Sequence, residues 1–549
     1  MNHLRLNSIL AATLIAVILA GMPLSTAADN TSRRVIVGFR DTPGAEQRQL
    51  IESMGGRITY QYSIINAIAA ELPNHAVVSL AQNNRVTYVE TEQSRQMETH
   101  LDPGVLWDGS YEILPWGIGA VRADEVWDVG GDLVIDGPSS ITGQGVSVAV
   151  LDSGIQLGHE DLAGNLDLAN SFDFLDNDAD VSDIPGPVTG HGTATSGIVA
   201  AIENTVGVIG VAPKATIIMY RVCNSALNEC PDSAIIAALQ QAITDGADVA
   251  SMSFGGIGFS IPFKQAIHAA DQAGIVLVAS AGNTPNQVAG ARHYPSGFSE
   301  VISVGATDIN NNLATFSTFG GHQDLVAPGV GTPTTYLNGQ GRDSLLEENS
   351  PTAQQLQNNP MAFTATGSET RNLVFAYFGS VQNFTNVDCT NKIALVSRGA
   401  GLTFRAKTLN AIADGCKGVI VHNNAPGNFF GTLSSSTGIT VPVVSISQAN
   451  GLALRAELNS GAVNVDLAIV ALNYESFSGT SASAPYVSGV AALVLDADPS
   501  LSAKDVKKIL YATATDLGEP GRDTLFGWGL VNAKGAVDCA EGTIICLAP

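Results

Sequence analysis

Three short segments of this sequence each join a reactive side chain to small residues. Asp152-Ser153-Gly154 ends an apolar run, His191-Gly192-Thr193 opens a stretch of small residues, and Gly479-Thr480-Ser481 leads into Ala482, Ser483, Ala484 and Pro485. A serine hydroxyl is a poor nucleophile until a base takes its proton. A near-neutral imidazole can be that base, and a carboxylate must orient the imidazole. One Asp, one His and one Ser meet this need. The neighbouring glycines let backbone and substrate approach closely, and a helix beginning at Ser481 surrounds its hydroxyl with unpaired N–H groups that favour a developing oxyanion. An esterase of the α/β-hydrolase type is excluded, since it needs a Gly-x-Ser-x-Gly elbow and the chain order Ser, Asp, His.

These segments must be held by a scaffold. Apolar runs at 146–152, 215–222, 247–254, 274–282 and 301–307 alternate with helical stretches and lack period-two alternation. They read as strands buried on both faces of a parallel α/β sheet with helices on both sides. Ligand sites in such sheets lie beyond the carboxyl ends of the strands, where Asp152, Ser253 to Gly256 and Asn283 fall. Upstream, 33–39, 58–72 and 86–90 read as strands and 45–54 and 75–82 as helices, a small ferredoxin-like α+β unit. Polar text from Thr91 to Tyr111, with Pro103-Gly104, reads as an exposed linker. After Pro333 the composition turns richer in Asn, Gln, Ser and Thr, which marks an inserted, mainly β domain at 339–461. The sheet pattern then resumes from Tyr474 to Val537.

The 549 residues are 45% hydrophobic and 14% charged, which excludes disorder as the main state. With 51 acidic against 26 basic residues the net charge is −25, a field that repels nucleic acid. Past the N-terminus no apolar run is long enough to span a membrane. His3 and Arg5, the apolar stretch Ile9 to Ala20, Gly21, Pro23 and the small residues Ser25 to Ala28 read as a signal peptide over 1–28, hence a secreted protein. Export makes disulfides plausible. The six cysteines offer three local pairs, Cys223 with Cys230, Cys389 with Cys416 and Cys539 with Cys546, among fifteen possible connectivities.

The segments VAVLDSGI, HGT followed by small residues, SAGN and GTSASAP, in this order, resemble the four signature segments of the subtilisin family of serine proteases. The resemblance implies a secreted endopeptidase that cleaves polypeptides through an acyl-enzyme. Asp152 would orient His191, His191 would act as general base and then acid, and Ser481 would be the nucleophile. Asn283 would donate to the oxyanion. Ser253, Phe254, Gly255 and Gly256 resemble the segment that takes substrate as an added strand, and Ser280, Ala281 and Gly282 the opposite wall of the pocket for the residue before the scissile bond. His293 falls at that pocket's base, where the family usually has a small residue. It predicts a polar, protonatable floor favouring acidic or polar side chains. One departure is visible: Ala194, Thr195 and Ser196 follow HGT where the family usually repeats a His, then an apolar residue and Ala.

The run Ile202, Asn204, Val206 and Val208 resembles the family's calcium loop, with Asp161 and Glu112 as its side-chain ligands, so the resemblance implies structural calcium. The N-terminal unit, 29–98, resembles the family's propeptide, which inhibits by laying its tail along the groove. Processing is expected near Met97 to Thr99, with Leu106 as the far limit. The catalytic domain would occupy 99–338 and 462–549, and the insert resembles a protease-associated (PA) domain. A monomer is expected. A kexin-like protease selective for basic residues is disfavoured by the motifs and by the lack of a large C-terminal β domain. A catalytically silent scaffold that binds peptides is the other reading, and the intact Asp, His, Ser and Asn set argues against it.

Overall fold

The computed structural model describes residues 32–97, 100–101, 111–128, 130–132, 134–137, 140–184, 189–284, 292–429 and 431–546. The expected signal peptide and the 98–99 bond lie outside them. The five apolar runs form strands Ser147–Asp152, Thr216–Arg221, Val249–Met252, Val276–Ser280 and Ile302–Thr307. They belong to one parallel seven-stranded sheet. From edge to edge its order is Leu325–Pro328, Ile302–Thr307, Val276–Ser280, Val249–Met252, Ser147–Asp152, Thr216–Arg221, Phe172–Asp173. Both faces are covered, as the continuous Val, Ile and Ala runs require. Val148, Val150, Val276 and Val278 face helices His191–Ala200 and Thr480–Ala497 on one side, while Ala149, Leu151, Leu277 and Ala279 face helices Asp232–Asp245 and Ile261–Gln272 on the other.

The N-terminal unit has strands Ser32–Phe39, Arg57–Gln61, Ala67–Pro73 and Val86–Thr91 in one antiparallel sheet, with helices Ala45–Ser53 and Asn74–Ala81. The period-two alternation of its strands sends side chains in two directions. Val35, Val37 and Phe39 fill the unit's own core. Ile36, Ala67 and Ala69 join the catalytic core cluster beside Ala234 and Ile235. At the same interface Tyr62 Oη donates to the Ser233 carbonyl at 3.1 Å.

The stretch expected to be an exposed linker is ordered at its start. Ser94–Met97 is a strand, with Arg95 and Met97 fully buried. Its pairing partners lie more than 130 residues downstream, so no local apolar pattern announces it. The insert builds an eight-stranded sheet whose first and last strands, Gly341–Ser350 and Asn464–Leu472, pair antiparallel. The closing strand lies beyond position 461, where the sequence places the return to the catalytic sheet. It alternates Val465, Leu467 and Ile469 into the insert's core. The insert springs from the paired strands Thr332–Thr335 and Tyr474–Ser478, the second of which leads directly to Ser481. The three local cysteine pairs are joined as disulfides, 223–230, 389–416 and 539–546. Among the described residues no helix is long and apolar enough to cross a membrane.

Candidate active site

Asp152 is the last residue of the inner strand Ser147–Asp152, and His191 opens the helix His191–Ala200 that packs against it. A Cβ on Gly192 would lie 2.1 Å from the Gly154 carbonyl, so glycine is needed for this approach. His191 Nδ1 meets Asp152 Oδ1 at 2.7 Å, and both side chains are buried. The Ser153 amide donates to the same oxygen at 2.7 Å. Nε2 of His191 is buried with no hydrogen-bond partner among the described residues. Ser481 stands at the start of helix Thr480–Ala497, after Gly479 at φ 140°, and its hydroxyl donates to the Ser253 carbonyl at 2.8 Å. Pro485 lacks the N–H that would bond the Ser481 carbonyl within the helix. The Ser253 hydroxyl takes that role at 3.0 Å and ties the groove segment to the helix start. Asn283 follows strand Val276–Ser280, and its Oδ1 accepts from the Thr480 amide and hydroxyl, both at 2.9 Å. That anchoring fixes the carboxamide plane and sends its NH2 to the other side.

The groove behaves as an added-strand acceptor. Phe254–Gly255 pairs antiparallel with Ser94–Met97, which pairs on its other edge with Cys230–Pro231. Past the 98–99 bond, His100–Leu101 pairs with Phe477–Ser478 beside Ser481. Gly256 bridges Tyr294, and Ser280 and Ala281 are buried in the adjoining wall. His293 is buried against Gly282, where any Cβ would lie 2.6 Å from its Nδ1, and its Nε2 meets Thr284 Oγ1 at 3.0 Å. Burial, then His322 and Arg95, pushes its pKa below the usual histidine value. The polar floor expected from the sequence is an imidazole whose burial disfavours its charged form.

Glu112, Asp161 and Asn204 converge, although they come from three separate segments. Asn204 Nδ2 reaches Asp161 Oδ1 at 2.8 Å, the Asn204 amide reaches Glu112 Oε1 at 2.9 Å, and the Val208 amide reaches Asp161 Oδ2 at 2.9 Å. Burial pushes Glu112 up to about 7 and Asp161 up to about 6. A Cβ on Gly207 would lie 2.1 Å from Asp161 Oδ2, so the loop is shaped around that carboxylate. Among the described residues no three acidic, His or Cys side chains gather as a metal site. The two carboxylates and the Asn204 carboxamide bring together oxygens of the kind calcium prefers.

Three features escaped the sequence reading. Thr195 Oγ1 reaches Asp152 Oδ2 at 3.2 Å, a contact created by the departure from the family's apolar residue. Asp183 lies behind the pair, accepting from Ser153 Oγ at 3.2 Å and Ser225 Oγ at 3.0 Å, and burial followed by the Asp152 charge holds it at about 7. Arg95 and Asp232 form a fully buried ion pair at 2.8 Å. Only Thr195 carried a local signal, its place in the His191 segment.

Comparison with known proteins agrees with this fold. The Subtilase family model matches residues 143–366 and 425–529, more than half of the chain, and the PA domain model matches 360–454. Subtilisin E of Bacillus subtilis (strain 168) is 31% identical over 315 residues, 56% of this chain and 75% of its own length. M-protease of Shouchella clausii is 29% identical over 398 residues, 67% of this chain and 96% of its own length. Among solved structures, the psychrophilic subtilisin-like protease Apa1 of Pseudoalteromonas sp. AS-11 matches with TM-score 0.56 at 29% identity, covering 80% of this chain and all of its own. Fervidolysin of Fervidobacterium pennivorans shares the fold with TM-score 0.58 at 20% identity, covering 94% of this chain and 62% of its own.

Proposed function

The chain belongs to the subtilase family of serine endopeptidases, and on that premise we propose that Asp152, His191 and Ser481 cut peptide bonds in polypeptides through an acyl-enzyme. Ser481 Oγ turns from the Ser253 carbonyl toward His191 Nε2, gives up its proton there and attacks the scissile carbonyl. Asp152 holds the ring by Nδ1 and stabilises the imidazolium. The oxyanion accepts from the Asn283 carboxamide and the helix-start amide of Ser481. His191 then protonates the leaving amine, and water repeats the sequence on the ester. The observation that supports this best is backbone pairing of Ser94–Met97 with Phe254–Gly255 and of His100–Leu101 with Phe477–Ser478, the strand that leads to Ser481, which is the way an extended substrate is held.

In this reading the protein is exported by the segment 1–28 as a zymogen, with 29–98 as a propeptide that occupies the groove until the 98–99 bond is cut. The catalytic domain then spans 99–338 and resumes at Tyr474, after the insert's closing strand Asn464–Leu472, with a PA domain between. Calcium, held by Glu112, Asp161, Asn204 and the carbonyls of Ile202, Val206 and Val208, would neutralise a crowded acidic site and brace the loop next to the His191 helix. The test is intact mass and casein cleavage for secreted wild type and Ser481→Ala, with calcium present. Wild type should lose its N-terminal unit and cleave casein while the variant keeps the unit and does nothing. If both stay full length and inert, or both are trimmed alike, the peptide-binding scaffold takes precedence.

A further inference from the structure

The strand Ser94–Met97 is the middle strand of a three-stranded antiparallel sheet whose outer strands both belong to the catalytic domain. Its register places Met97 opposite Phe254, Gln96 opposite Gly255, and Arg95 opposite Cys230. Side chains alternate: Ser94 and Gln96 face solvent, whereas Arg95 and Met97 point into the protein. If the 98–99 bond is the one cut, Arg95 is the fourth residue before it, and its pocket is the pocket any substrate meets at that position.

That pocket is built for a guanidinium. Arg95 Nε and Nη2 donate to the two oxygens of Asp232 at 2.8 and 2.9 Å, a bidentate pair. Nη1 donates to the Gly258 carbonyl at 2.6 Å and reaches the Gly256 carbonyl at 3.4 Å. The guanidinium carbon sits 5.2 Å from the centre of the Phe263 ring, a cation–π distance. Neither the Arg95 nor the Asp232 side chain has any exposure to solvent. A lysine could offer the carboxylate one ammonium but not the planar fork. The pocket's walls are rigid, because Asp232 begins the helix Asp232–Asp245 directly after Pro231 and the Cys223–Cys230 disulfide.

We propose that Asp232 makes this endopeptidase selective for polypeptides with arginine four residues before the scissile bond. This rests on the protease reading above and specifies its substrate class. A buried carboxylate left without its cation is strongly disfavoured, so a substrate presenting alanine at this position leaves Asp232 unpaired and one presenting glutamate opposes it. The same carboxylate that seats the propeptide tail then sorts what enters after the tail has gone. Burial raises the Asp232 pKa and the Arg95 charge lowers it, opposing effects that fit a carboxylate made to meet a cation.

The experiment uses matured wild-type protein and peptides copying residues 92–103 with position 95 as Arg, Lys, Ala or Glu, read as kcat/KM. The expected result is an Arg over Ala preference of about a hundredfold, with Lys between them and Glu lowest. In Asp232→Asn that ratio should collapse to within about threefold. Removing one partner of a buried pair could prevent maturation, so the double variant Arg95→Gln with Asp232→Asn supplies a neutral pair for the precursor. The wild-type panel is decisive without either variant. Equal cleavage of the Arg and Ala peptides overturns the proposal and leaves the protease reading standing. Cleavage of neither peptide nor casein removes the protease reading itself. A preference that survives in Asp232→Asn refutes the role of Asp232.

Discussion

Gly207→Ala is the sharpest probe of the acidic loop, because its cost can be separated into parts. Gly207 has φ +75°, a conformation that costs an L-residue roughly 1–2 kcal/mol. Gly246 has φ +70° and nothing within 4 Å of its would-be Cβ, so Gly246→Ala measures that backbone cost alone. At Gly207 the new methyl would stand 2.1 Å from Asp161 Oδ2 and 2.2 Å from Tyr474 Oη. The carboxylate must move, giving up the Val208 amide at 2.9 Å and the Asn204 Nδ2 at 2.8 Å. Two hydrogen bonds to a charged acceptor are worth about 3 kcal/mol together. Gly207→Ala should therefore lose about 4–5 kcal/mol and Gly246→Ala about 1–2 kcal/mol. The assay is urea unfolding at pH 8, above the value of about 6 that burial gives Asp161, in a Ser481→Ala background that removes self-cleavage. Each variant is measured in millimolar calcium and in chelator. Calcium that binds only the folded chain adds RT ln(1 + [Ca]/Kd), about 4 kcal/mol at a thousandfold excess over Kd. Gly207→Ala should lose that increment while Gly246→Ala keeps it. Equal losses in the two variants, with the increment retained in both, would refute the argument that the loop is shaped around Asp161.

Asn283→Ala should lower kcat by about 10² to 10³ with little change in KM, the loss known for this donor in subtilisin itself. Thr195→Val preserves shape but removes the 3.2 Å contact with Asp152 Oδ2, so kcat/KM should fall about fivefold, and an unchanged value would make that contact incidental. Asp183 has a folded pKa of about 7 against an ordinary 3.8, so the folded chain holds that proton more tightly than the unfolded one. Its contribution to stability is complete below about pH 4 and is lost as the pH rises through 7. Asp183→Asn stays neutral throughout, so urea midpoints at pH 5 and pH 8 should differ less than in the parent, and an equal difference would show that Asp183 is ionised in both states.

The parallel sheet was legible because strands buried on both faces need unbroken apolar runs, and Asp152 could be placed because it ends one of them. Strands Ser32–Phe39 and Ala67–Pro73 of the N-terminal unit were legible for the same reason, since one side faces the unit's own core and the other the catalytic domain. His191, Ser481 and Asn283 came from short motifs that need little context. What failed to show is what depends on distant partners. Arg95 and Asp232 are 137 positions apart, and an arginine in polar text predicts a solvated side chain until an acid is found to bury it. Asp183 becomes unusual only because the fold buries it beside the Asp152 charge, and two hydroxyls from distant segments offset that only in part. Asn464–Leu472 has the alternation of a strand, but nothing local tells which of two neighbouring sheets will take it. The silence of Ser94–Met97 has a further cause. In the proposed function this strand sits in the groove as substrate and then leaves, and such a segment cannot carry the continuous apolar pattern of a permanent core strand. Its affinity has to come from backbone pairing, which any sequence supplies, and from one or two side chains that fit pockets. Such a segment is recognisable from the pockets that receive it, here Asp232 and the glycine carbonyls around Arg95, more readily than from its own composition.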